Sequence, residues 1–234
     1  MAPPTKRRPP TEPRPTGGTR DERKLRTRQA LLDAALTMLS GERSFSSLSL
    51  REVTRAAGVV PTAFYRHFPD MEALGLALVD ESFITLRDMM REARSAPLPT
   101  SHLVRRSVAT FLDYVEGHAL HFRFIAKERY GGSTTLRFAI RAEIRLWVSD
   151  LAVDLARFPT LIAVSTDDLQ LVASLVVQAI VHATELTLDL TSGDQREREQ
   201  VRHHAERQLM MILLGAAQWQ TRSGGAAASG RAVR

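Results

Sequence analysis

Apolar residues recur at intervals of three and four along almost the whole chain, between two ends that lack them. The first such segment places Leu31, Ala34, Ala35, Met38 and Leu39 on one side of a helix. No segment alternates apolar and polar residues as a half-buried strand does. We therefore predict an all-α fold, with further helical faces within residues 50–57, 103–115, 140–151, 171–183 and 209–219.

The composition excludes several classes of protein. Hydrophobic residues make up 44% of the 234 residues and charged residues 25%, which is typical of a globular protein. The chain has no cysteine, so disulfides and Cys-ligated zinc are excluded. Charge interrupts the apolar runs before the roughly 18 residues that span a membrane, and no apolar core follows the basic N-terminus. We therefore expect a cytoplasmic protein without signal peptide or membrane anchor.

The N-terminal end is basic and rich in proline. The first 28 residues carry nine lysines and arginines against three acidic residues, and residues 1–20 contain six prolines. Residues 1–20 are predicted to be a disordered arm, and residues 223–234 a disordered tail. A basic arm before a helix is typical of proteins that bind nucleic acid. A tail that serves solubility is the alternative.

Residues 48–68 read LSLREVTRAAGVVPTAFYRHF, and they predict two short helices joined by a tight turn. Ser49 and Glu52 have the spacing of a capping box. Gly58 ends the first of these helices, and Pro61 suits the first turn of the second. This layout is that of a helix-turn-helix, which places its second helix in the major groove of DNA.

At about 100° per residue, Phe64 and Phe68 of the second helix point inward. Thr62, Ala63 and Arg66 point the opposite way, towards base edges, and Arg66 can make a bidentate contact with guanine. Tyr65 and His67 lie at the flanks, where phosphates would be. The alternative is that the aromatic stripe is ordinary core packing. The predicted DNA-binding residues are Arg28, Ser49, Thr62, Ala63, Tyr65, Arg66 and His67.

Residues 22–75 resemble the TetR family of one-component regulators. The resemblance is carried by LLDAALTML, Phe45, LSLREVTRAAGV and the run Tyr65-Arg66-His67-Phe68. The longer stretch SLSLREVTRAAGVVPTAFYRHFPDMEALGLALVDES, with residues 128–133 (ERYGGS), resembles most the FabR- and DesT-type regulators of unsaturated fatty-acid synthesis. The resemblance implies a repressor that binds a palindromic operator as a homodimer and responds to a long-chain acyl-CoA.

Two positions depart from the family pattern. Val60 and Ala63 stand where many members have hydroxyl residues, which removes a cap and a backbone contact. Met71-Glu72 lies at the start of the next predicted helix, over residues 70–94, where many members have a basic residue. We therefore assign Met71 no DNA contact.

The resemblance also implies a division of the chain: residues 21–69 as the DNA-binding domain, and residues 70–222 as the effector-binding and dimerisation domain, whose last two helices pair. We expect effector binding to tilt the helix predicted over 70–94. Arg123, Lys127 and Arg129 either attract an anionic headgroup or form a solvated face. Predicted lining residues of a hydrophobic effector cavity, with plain core as the alternative, are Phe111, Phe122, Trp147, Leu175 and Ala179.

Other functions find less support in the sequence. His118 and His121, and likewise His182 and Glu185, have the spacing of a metal-binding pair, but no further ligands accompany them. No nucleophile motif or phosphate loop is present. We therefore predict no enzyme, no metal site and no cofactor. The alternatives are a constitutive DNA-binding protein, a regulator that responds to another small hydrophobic ligand, and a small-molecule carrier.

Overall fold

The computed structural model describes residues 19–41, 43–95, 100–190 and 195–226. Most of the predicted arm and the end of the predicted tail lie outside these residues. The described residues form helices and turns, without strands, as the sequence predicts. The α-helices are α1 (Arg20–Leu39), α2 (Leu50–Ala56), α3 (Pro61–Phe64), α4 (Met71–Ser95), α5 (Thr100–Gly117), α6 (Ala119–Glu128), α7 (Thr134–Leu155), α8 (Thr166–Asp189) and α9 (Gln195–Ala226).

The local signals around α2 are confirmed. The Ser49 hydroxyl accepts a hydrogen bond from the Glu52 backbone N–H, and the Glu52 carboxylate accepts one from the Ser49 backbone N–H. Gly58 ends this helix with a φ of 68°, a value that glycine adopts without strain. Pro61 is the first residue of α3. These short helices are therefore fixed by their own termini.

Helix α3 is shorter than the sequence analysis suggests. The α-helix ends at Phe64, and the next residues form a turn in which the N–H of Arg66 donates to the Ala63 carbonyl and that of His67 to the Phe64 carbonyl. Pro69 disfavours helical geometry at Phe68, so the helix does not continue beyond this turn. Phe64 and Phe68 are buried as predicted.

One apolar core joins the N-terminal helices to the rest of the molecule. Leu31 and Leu32 of α1, Phe64 of α3 and Leu74 of α4 are buried in it. The same core continues into Phe124, Leu136 and Ile140, which belong to α6 and α7. The predicted boundary between residues 69 and 70 is therefore crossed by continuous packing.

Helix α4 begins as predicted. The Asp70 carboxylate accepts a hydrogen bond from the Ala73 N–H at 2.8 Å and so caps the first turn. Helix α6 is not among the helices predicted from the sequence, and a break at His118, where φ is −125° and ψ is 34°, separates it from α5. Gly117 precedes this break and is the signal that could have located it.

Helix α8 lies in the middle of the larger part of the molecule and packs against α7 and α9. By length and composition it is apolar enough to cross a membrane, with a window of mean hydropathy 1.6. One face is buried in the core through Val172, Ala173, Val176 and Ile180. A core helix of a helical protein passes the same test, so α8 is no evidence of a membrane span.

Candidate nucleic-acid interface and effector cavity

Residues 61–68, here called the recognition segment, present polar side chains on a rigid apolar base. Phe64 is fully buried, and its ring packs against Phe68 with centroids 5.6 Å apart. Thr62 and Arg66 are exposed and Ala63 is half-buried. Because both phenylalanines are held in the core, the side chains between them point outward in a fixed orientation. This surface matches what direct contact with base edges requires.

Tyr65 and His67 follow the last helical residue of the recognition segment and differ in their exposure. The Tyr65 side chain is 62% exposed, and His67 is half-buried. Partial burial, reinforced by Lys24, Arg28 and Arg66, lowers the pKa of His67 below its usual value. The imidazole is therefore a neutral group in a cationic surface, and that surface attracts phosphate.

The remaining two candidate DNA-binding residues have partners inside the protein. Arg28 of α1 places its guanidinium 5.3 Å from the centre of the Phe68 ring, so α1 is tied to the end of the recognition segment. The Ser49 hydroxyl donates to the Glu52 carboxylate at 2.7 Å and accepts from the Glu52 N–H. The Ser49 side chain is thus engaged in the capping box, although it remains exposed.

A first cavity, here called the α9 cavity, lies among α4, α5, α7, α8 and α9. It encloses about 770 Å³ of empty space, part of it open to solvent. Its walls are apolar apart from Ser107, and they include Phe111, Trp147 and Leu213. Ligand sites of small hydrophobic molecules have this kind of lining.

A second cavity, here called the α6 cavity, lies among α4, α5, α6, α7 and α8. It encloses about 520 Å³, again partly open to solvent. Phe111, Trp147 and Val177 line both cavities, so the two spaces adjoin across these side chains. Two charged residues, Arg129 and Glu185, stand in the wall of the α6 cavity.

The structure brings together three of the five predicted cavity residues. Phe111 and Trp147 line both cavities, and Phe122 lines the α6 cavity. Ala179 packs half-buried against the surrounding core but lines neither cavity. Leu175 is 44% exposed, on the opposite face of α8, and also lines neither. Helical spacing did not separate these faces, because α8 is apolar on nearly all sides.

The three cations considered for an anionic headgroup lie in three different places. The Lys127 ammonium donates to the Gly41 carbonyl at 3.0 Å. The Arg123 guanidinium donates to the Leu188 carbonyl at 2.6 Å and lies beside a separate polar cleft with Glu116 and Arg198. Of the three, Arg129 alone is in the wall of an apolar cavity.

The last turn of α6 touches the cavity on one side and the N-terminal helices on the other. Ile125, Ala126 and Arg129 line the α6 cavity. On the other side, the fully buried Glu128 accepts a hydrogen bond from the Phe45 backbone N–H at 2.8 Å, just before α2. A Cβ at Gly131 would lie 2.2 Å from the second oxygen of this carboxylate, so any other residue here would displace the Glu128 side chain.

Helices α8 and α9 expose apolar side chains on their outer sides. Leu171, Leu175 and Leu186 project from α8, and Met211 and Leu214 from α9. The two helices pack on one another, so these side chains lie on adjoining elements. Exposed apolar surface of this kind marks protein–protein interfaces.

Two family models match the chain. Residues 31–78 match the model described as bacterial regulatory proteins, tetR family, and residues 99–214 match the tetracyclin repressor-like C-terminal domain. The chain belongs to the TetR family. It is therefore a DNA-binding transcriptional regulator and not an enzyme. Regulators of this family act as dimers and bind operator DNA and small-molecule effectors.

Solved structures of TetR-family members share the fold. A TetR-like regulator from Rhodococcus sp. RHA1 has a TM-score of 0.62 at 17% identity, covering 81% of this chain and 96% of its own. A second regulator of that strain has a TM-score of 0.61 at 21% identity, with coverages of 82% and 96%. The fatty acid degradation regulator FadR from Bacillus halodurans has a TM-score of 0.57 at 13% identity, with coverages of 89% and 97%.

Proposed function

We propose that this TetR-family chain is a repressor of fatty-acid or lipid metabolism genes, which binds a palindromic operator as a homodimer and is controlled by a long-chain acyl-CoA. The observation that carries the hydrophobic effector is the pair of apolar cavities that adjoin at Phe111, Trp147 and Val177. The acyl-CoA assignment draws further support from the sequence resemblance to regulators of unsaturated fatty-acid synthesis. FadR from Bacillus halodurans, one of the solved structures that share the fold, is named as a fatty acid degradation regulator.

We assign the operator contacts to residues 21–69. Arg66, with Thr62 and Ala63, reads base edges, while Tyr65, His67 and Arg28 approach the phosphates on either side. Ser49 contributes through the capping box that fixes α2, and its backbone and hydroxyl lie near the expected path of the DNA. The arm before Asp21 adds sequence-independent attraction to the phosphates.

We assign dimerisation to residues 70–222, through the exposed sides of α8 and α9. Leu171, Leu175 and Leu186 would be covered by the same face of a second copy, as two-fold symmetry requires. Dimerisation gives the DNA-binding units the spacing of about one DNA turn that a palindrome demands. Leu175 thus has an interface role in place of the cavity role predicted from sequence.

The route from cavity to DNA runs through two helices. Helix α4 forms part of both cavities through Phe83, Leu86 and Met90 and continues into the core of the N-terminal helices. Helix α6 touches the α6 cavity and holds the Phe45 N–H through Glu128. A ligand that displaces either helix changes the separation of the two recognition segments in the dimer.

The test is a gel-shift titration on the intergenic DNA upstream of the protein's own gene, with and without saturated and unsaturated long-chain acyl-CoA. A discrete shift that an acyl-CoA weakens or strengthens is expected, and its sign tells whether the ligand releases or stabilises the complex. A discrete shift that no acyl-CoA changes would exclude the lipid assignment and favour another hydrophobic effector. Broad, salt-sensitive protection without a discrete site would favour a constitutive DNA-binding protein.

A further inference from the structure

The two adjoining cavities differ in whether charged residues are among those that line them. The α9 cavity is lined by apolar residues and Ser107, whereas Arg129 and Glu185 are among the residues at the α6 cavity, whose inner surface is almost wholly apolar. A molecule that filled both spaces would pass Phe111 and Trp147, and one of its ends would lie beside Arg129. The asymmetry therefore distinguishes the two ends of a ligand.

Arg129 is held in place but its donors are free. Its side chain is 25% exposed and lies over the Tyr130 ring, 5.2 Å from the centroid. The nearest carboxylate oxygen, on Glu185, is 4.0 Å from the guanidinium, which is too far for a hydrogen bond. Through its guanidinium Arg129 makes no hydrogen bond to any residue that the structure describes. The guanidinium donors thus have no acceptor among the described residues, and because the α6 cavity is almost wholly apolar inside while the Arg129 side chain is 25% exposed, they lie at the rim of this cavity.

We infer that Arg129 is an anion receptor, so that the ligand is an amphipathic anion with its charged group at Arg129 and its apolar chain in the α9 cavity. This inference rests on the proposed effector function of the two cavities. It adds the residue that receives the charged end and the direction in which the ligand lies. A carboxylate or a phosphate at the end of the chain accepts hydrogen bonds from a guanidinium in a bidentate manner.

Glu185 acts as the counter-ion of Arg129 in the empty protein. It lines the same cavity, is 45% exposed and also lies 3.9 Å from His182, so it is able to turn towards solvent when another anion arrives. The arriving anion and Glu185 compete for the same cation. Removing the charge of Arg129 must then weaken anion binding, and removing the charge of Glu185 must strengthen it.

The experiment measures the dissociation constants of dodecanoate, 1-dodecanol and dodecanoyl-CoA from the fluorescence of Trp147 in a Trp219→Phe background. In the parent protein dodecanoate is expected to bind about tenfold to a hundredfold more tightly than dodecanol, as charge-assisted hydrogen bonds do. Arg129→Gln should abolish this preference without changing the affinity for dodecanol. Glu185→Gln should strengthen dodecanoate binding and leave dodecanol unchanged. Arg141→Gln, at an exposed position of α7, is the charge-matched control.

The outcomes separate this inference from the function on which it rests. If neither dodecanoate nor dodecanoyl-CoA binds more tightly than dodecanol, Arg129 is not an anion receptor, although the apolar cavities still take a ligand. If no dodecyl compound binds, the effector cavity itself is refuted. An Arg129-dependent advantage confined to dodecanoyl-CoA identifies the anion as a phosphate, and one confined to dodecanoate identifies it as a carboxylate. Either result supports the receptor.

Discussion

The recognition segment and the effector cavities both depend on buried phenylalanines, yet these rings have opposite surroundings. Phe64 is enclosed by core on all sides and holds polar residues outward. Phe111 is almost as buried, but it stands between two empty spaces and contacts the rings of Phe122 and Trp147. A filled core orients a surface, whereas an incompletely filled one leaves room for a ligand.

The first prediction measures this difference as stability. Phe64→Ala should lower the free energy of unfolding by about 3–5 kcal/mol, since it leaves a cavity in close-packed core. Phe111→Ala should lower the free energy of unfolding by clearly less, because the Phe111 ring borders space that is already empty. Urea unfolding at one fixed protein concentration, needed because a dimer's stability depends on concentration, gives both values. Phe64→Leu and Phe111→Leu are the matched controls, and equal losses for the two alanine variants would contradict the comparison.

The second prediction concerns the surface that Phe64 orients. Arg66→Ala should weaken operator binding by about 1–3 kcal/mol, or roughly 5- to 150-fold, and should relax the sequence preference at one position. Arg66→Lys should keep the charge but lose the bidentate contact, so its affinity should fall while its salt dependence stays the same. Arg157→Ala removes the same charge from the far end of α7 and serves as the control. An equal loss on all DNA sequences would show that Arg66 contacts phosphate.

The same contrast explains which features of the structure can be predicted from the sequence and which cannot. The all-α fold, the capping box at Ser49, the turn at Gly58 and the burial of Phe64 follow from signals within a few residues of each other. The cavity residues do not, because a side chain beside empty space and one beside a neighbour have the same sequence pattern. Leu175 illustrates this, since its spacing is that of a core residue and its side chain is exposed. The Glu128–Phe45 bond joins residues 83 positions apart, and no local pattern marks it.

The third prediction tests whether the two regions communicate through that bond. Glu128→Ala should reduce the effect of the effector on operator affinity by about 0.5–2 kcal/mol, because the Phe45 N–H loses its acceptor. Glu128→Gln keeps a carbonyl oxygen for this N–H and should retain most of the effect. Operator titrations with and without acyl-CoA give the ratio of the two operator affinities for each variant. Glu199→Ala, at an exposed position of α9, is the control. An unchanged ratio in Glu128→Ala would leave α4 as the sole route.

The smallest effect is expected from the pH dependence of operator binding. Burial and the nearby cations lower the pKa of His67 in the free protein, so the imidazole is neutral at pH 7. Phosphate oxygens beside it favour the charged form and raise this pKa in the complex. The complex therefore takes up a proton, and operator affinity should rise as the pH falls through the usual range of histidine. This gain in affinity should disappear in His67→Gln. It should persist in the control His102→Gln, which changes an exposed residue of α5. If His67→Gln shows the same gain as the parent protein, His67 is remote from the phosphates, and the recognition segment meets the DNA in another orientation.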